Sequence, residues 1–168
     1  MKKILPSVIS GFGAAVLSVV PVIKAFSCCL FVPLATIIAL LLDIRVNRNL
    51  EKITLSKAIY FGFLTGFFIT LFFVGFDIII TFTTRTNDFV EALPQSEILI
   101  KELNLGKIAD EPLALMRSIS QEIKDNGFSL FYTFILFISN FITNVFWGII
   151  GGIVGMGLLN KKLERIDL

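Results

Sequence analysis

Asp77 is the first residue here whose type could do chemistry, because it alone interrupts the 27 residues between Lys57 and Arg85. A carboxylate in hydrocarbon is costly, so it faces protein or water and takes a partner. Counted back from Arg85, it stands about two helical turns inside the edge of its run, a depth that Lys24 reaches at the end of the first apolar run. Three readings stay open: an Asp77 to Lys24 ion pair tying two segments together, snorkelling toward interfacial water, and an ion or proton path. Asn140 and Asn144, four residues apart beside Ser139 and Thr143, share one helical face of the last apolar run. Amides in lipid seek partners, either as interhelical hydrogen bonds or as the lining of a polar conduit.

The other chemistries are narrowed by what is missing. The chain has no histidine, which excludes bis-histidine haem, most zinc sites and imidazole catalysis. No glycine-rich phosphate loop follows a strand, and no cysteine spacing suits a metal. We therefore expect no catalytic residue, no cofactor and no metal. Cys28 and Cys29 are adjacent, where a disulfide would be strained. They read as two small hydrophobes at the mouth of the second run, with lipid modification or thiol chemistry as alternatives.

The elements that must position these residues follow from composition. Of 168 residues, 55% are hydrophobic and 17% charged, and the mean hydropathy is +0.87. Lipid must be the solvent for much of the chain. A bilayer core about 30 Å thick needs roughly 20 apolar residues in a helix. Four runs between charges qualify, of 20, 18, 27 and 35 residues, the third broken by Asp77. They are apolar on every face, unlike the alternating strands of a barrel. The sequence thus predicts an all-α membrane protein of one domain over 1–168. Four transmembrane helices are expected at about 4–23, 26–43, 57–83 and 128–159, with a short helical exoplasmic insert at about 86–126 between helices three and four.

Charge sets the orientation. Lys2 and Lys3, then Arg45, Arg48, Lys52 and Lys57, then Lys161, Lys162 and Arg165 fall on one side of that topology. The other side receives Lys24 and the segment from Arg85 to Asp125, with five basic against eight acidic residues. Both termini are expected in the cytoplasm of a bacterial inner membrane. A cleaved signal peptide is the alternative for the first run, although no small-x-small cleavage site precedes Lys24. The net charge of +2 forms no basic stripe, so the expected partners are the lipid bilayer and other membrane subunits or a second copy, with no nucleic acid.

Local signals fill in the elements. Pro6 suits a first helical turn, Pro21 helps the chain turn, and Pro33 should kink the second helix. Thr54 and Ser56 offer caps for the third. In the insert, Asn87 or Asp88 caps a first helix that Pro94 and Ser96 interrupt, and Asp110 caps a second that Gly127 ends. Leu113, Met116, Ile119 and Ile123 recur at helical spacing along this second helix, from about Glu111 to Lys124. Their stripe could pack internally, lie on lipid or dock a partner. Gly62 and Gly66 in helix three, and Gly148, Gly152 and Gly155 in helix four, have the small-xxx-small spacing that lets backbones approach.

The order of these features, from the Lys-led first helix through Pro21, Cys28 and Cys29, the Leu55-Ser56-Lys57-Ala58 start and the acidic insert to Leu158-Leu159-Asn160-Lys161-Lys162, resembles uncharacterised bacterial four-helix integral membrane proteins, families of a domain of unknown function. The likeness spans most of the chain. It implies topology and transfers no functional residue. Two functions then compete: a non-catalytic scaffold, accessory or assembly subunit of a larger complex or homo-oligomer, and a small transporter or channel with a polar route near Asp77, Asn140 and Asn144. Alkaline phosphatase, active only outside the cytoplasm, should be inactive when fused after Leu168, because seven of the 15 basic residues lie in the second loop and the C-terminal tail. An active fusion would overturn the orientation.

Overall fold

Backbone amides surrounded by lipid have no partners but one another, and side chains apolar on every face fit only a helix whose bonds close within the segment. The computed structural model describes residues 4–20, 27–47, 52–103 and 109–164, and every regular element among them is helical. These are α1 (Leu5–Val19), a π-helical turn (Ser27–Phe31), α2 (Val32–Asn47), α3 (Leu55–Thr84), α4 (Asp88–Glu102), α5 (Asp110–Asn126) and α6 (Leu130–Glu164). Three stretches are long and apolar enough to cross a membrane: Cys29–Asn47, Leu55–Thr84 and Leu130–Leu163. The apolar α1 has 15 residues, about 22 Å at ~1.5 Å each, and is shorter than the expected 4–23. Pro21 and Lys24 lie outside the described residues.

Several boundaries depart from the sequence reading. Pro33 lies in the first turn of α2, directly after the π-helical turn. Having no amide, Pro33 returns no hydrogen bond to the Cys29 carbonyl one turn back, at the junction with that π-helical turn. At the start of α3 the Thr54 hydroxyl accepts the Lys57 amide at 3.3 Å. Asn87 caps α4, its side-chain oxygen accepting the Val90 amide at 3.0 Å. That helix runs unbroken through Pro94, contrary to the expected interruption, at the loss of one backbone bond on a surface helix. Asp110 is not the cap expected for α5: it lies in the first turn, where its charge and that of Glu111 meet the positive end of the helix. Gly127 ends α5 at φ 73°, a left-handed conformation, with its amide donating to the Ile123 carbonyl at 2.7 Å. Finally, α6 extends past the expected residue 159 to Glu164.

The chain divides into two compact units, Met1–Phe73 with Phe137–Leu168, and Val74–Leu136. In the first, α1 turns a face of small residues inward (Ser7, Ser10, Gly11, Ala14, Ala15 and Ser18) and packs on α2, with Gly11 against Phe68 and Ile69 of α3. The Ser10 and Ser18 hydroxyls donate to carbonyls one turn back, at 2.8 and 2.7 Å. The glycines of α6 lie against backbone: Gly148 on Gly62, Gly152 on Ala58, Gly151 on Pro33, while Gly155 meets Ile37 and Leu40. In the second unit Ile119 and Ile123 of α5 bury against Val90 of α4, with Phe89 and Tyr132 at the margin.

Replacing Gly66 by alanine would place a methyl group 2.5 Å from the Asn144 carbonyl oxygen, whereas at Gly75 of the same helix nothing lies within 4 Å. Gly66→Ala should therefore cost about 1–3 kcal/mol and Gly75→Ala much less. Thermal unfolding of both variants in one detergent checks this, and equal losses would remove the close approach.

Candidate functional site

Two reversals of the backbone build the surroundings of Asp77 in the second unit. Arg85 ends α3 in a left-handed conformation, φ 57°, with its amide on the Thr81 carbonyl at 2.9 Å. Its guanidinium donates to the Asp125 carbonyl at the end of α5 and lies 5.7 Å from the Phe82 ring. At the second reversal, Gly127 passes close to Phe82: a β-carbon there would sit 3.0 Å from the Phe82 carbonyl oxygen. The start of α6 thereby comes alongside the end of α3. Asp77 is half-buried in the resulting crevice, with Thr81, Ser129, Tyr132 and Thr133 among its walls.

The polar atoms of this crevice serve one another. The Tyr132 phenol is within hydrogen-bonding reach of the Asp77 carboxylate, and the charge of Asp88 acts on the same phenol. Asn87 donates to the buried Thr81 hydroxyl at 3.4 Å. Ser129 caps α6, its hydroxyl accepting the Tyr132 amide at 3.4 Å, and its carbonyl accepts the Thr133 hydroxyl at 2.9 Å. The crevice is shallow and partly open and encloses no water-sized cavity. The expected pair of Asp77 with Lys24 lies outside the described residues.

Asn144 belongs to the first unit and is buried on α6. Its amide donates to the Thr70 hydroxyl at 3.0 Å, and that hydroxyl donates to the Gly66 carbonyl at 3.0 Å. The absent side chain of Gly66 is what lets the two helices come close enough for this relay. Asn140, one turn earlier, is half-buried and also partnered. Asp77 therefore falls in one unit, and Asn140 and Asn144 in the other.

The apolar stripe of α5 turns inward: Leu113, Ile119 and Ile123 are buried and Met116 half-buried, with Ile119 and Ile123 against Val90. For Ile119 and Ile123 this is the internal packing that was one of the three readings of the stripe. Leu115, on the other side, is exposed. Arg117 reaches Glu97 across the hairpin at 2.7 Å, and that hydrogen bond and charge raise the guanidinium pKa further. Cys29 carries an exposed free thiol on the π-helical turn. Among the described residues no group of three or more cysteine or acidic side chains is placed to hold a metal ion.

Sequence reasoning missed two contacts. Asp43, taken as the charge that ends the second run, is buried and pairs with Lys57 at 2.6 Å while accepting the Asn47 amide at 2.6 Å. Lys57 also stands 6.0 Å from the Phe61 ring centre. The second contact is Asn160, whose side chain accepts the Ile53 amide at 2.8 Å and donates to the Ile53 carbonyl at 3.0 Å. The i, i+4 spacing of Asp43 and Asn47 was a readable signal. The pairing across 107 residues had none.

No family model, curated protein or solved structure matches the chain.

Asp77→Asn and Tyr132→Phe each remove one end of the carboxylate–phenol contact. In a double-mutant cycle of thermal stabilities they should show coupling on the order of 1 kcal/mol. Additive losses would separate the two side chains.

Proposed function

We propose that this chain is a non-catalytic integral membrane scaffold, an accessory or assembly subunit of a larger membrane complex or homo-oligomer. In this reading four helices cross the bilayer, α1 being the first of them. Both termini are cytoplasmic, and the α4–α5 hairpin lies on the exoplasmic side. Three helices of sufficient length and the apolar α1 support the membrane part of the reading. The segregation of basic residues supports the orientation.

The observation that carries the scaffold over the transporter is how intramembrane polar groups are satisfied. Asn144 spends its amide on Thr70 inside a glycine-lined helix contact. Asp77 sits beside Tyr132 in a shallow crevice that encloses no water-sized cavity. A conduit needs polar side chains that a hydrated ion can reach and leave. Here they fasten helices, which is the ordinary use of such groups in lipid.

The test has two arms. Photo-crosslinking from the exposed Leu115 position in native membranes should capture one recurrent membrane protein or a second copy of the chain. Purified protein in sealed vesicles should pass sodium, potassium and protons no faster than empty vesicles. Flux above that background, lost in Asp77→Asn or Asn144→Leu with the fold intact, would overturn the scaffold in favour of the transporter.

A further inference from the structure

No further inference is drawn: the strongest candidate, the apolar surface patch of the second unit that Ile98, Leu99 and Leu103 form at the end of α4, is exposed, and nothing in the structure shows what covers it.

Discussion

With glycine at 62, 66 and 148 and alanine at 58 facing Gly152, helices α3 and α6 approach until backbone meets backbone. The rest of the first unit depends on that proximity. Lipid tails are as apolar as leucine, so burying apolar surface against another helix returns little in a membrane, and dispersion contact and interhelical hydrogen bonds must hold the helices together. Both fall off steeply with separation. The Thr70 hydroxyl can accept from Asn144 and donate to Gly66 at once only because no β-carbon keeps the chains apart. Gly151 and Gly155 extend the same face toward Pro33, Ile37 and Leu40, so α6 fits into the groove between α2 and α3.

The distribution of aromatic residues follows. A face made of glycine has no room for large rings, so phenylalanines gather beside it. Phe63 and Phe67 meet Phe141 edge-on at 6.1 and 6.3 Å, and Phe12 meets Phe72 at 5.3 Å. Such edge contacts each add a modest, orientation-dependent attraction. The chain thus uses two residue types at opposite extremes of volume: glycine sets the distance between helices and phenylalanine fills the flanks. Eighteen of 168 residues are phenylalanine, and the structure gives that excess a place.

Helical class and the approximate segments were legible in the sequence because run length and charge position are local quantities. The ends of helices were less so. Gly127 was readable, since a residue with φ 73° is most simply glycine. Arg85 in the same conformation was not. Nothing in its local sequence reveals that its guanidinium would find the Asp125 carbonyl forty residues later. Pro94 misled because a proline in an exposed helix costs one bond and is tolerated when tertiary contacts supply more, here those around Val90. Asn144 was recognisable as an amide in need of a partner, but its partner, a threonine 74 residues earlier, could be named only from the fold.

Asp43 teaches the same limit with a different physical content. Read along the chain, it marks where an apolar run ends; in three dimensions it is 2% exposed and carries two contacts. Desolvation offsets most of the attraction in a buried ion pair, so the pair adds little net stability compared with apolar residues in its place. What it supplies is register. A carboxylate buried beneath Lys57 tolerates one alignment of α2 against α3, because a shift of one turn would leave it without its counter-charge, at a penalty of several kcal/mol. Asn160 imposes the equivalent condition on α6, since both of its polar atoms are matched to one residue, Ile53. The glycine face alone would not fix the alignment of α6 along its groove, because Gly148, Gly152 and Gly155 recur about one turn apart. Directional bonds at the charged end, where water is near enough to make a misplaced polar group costly but not fatal, select the alignment that the apolar middle cannot.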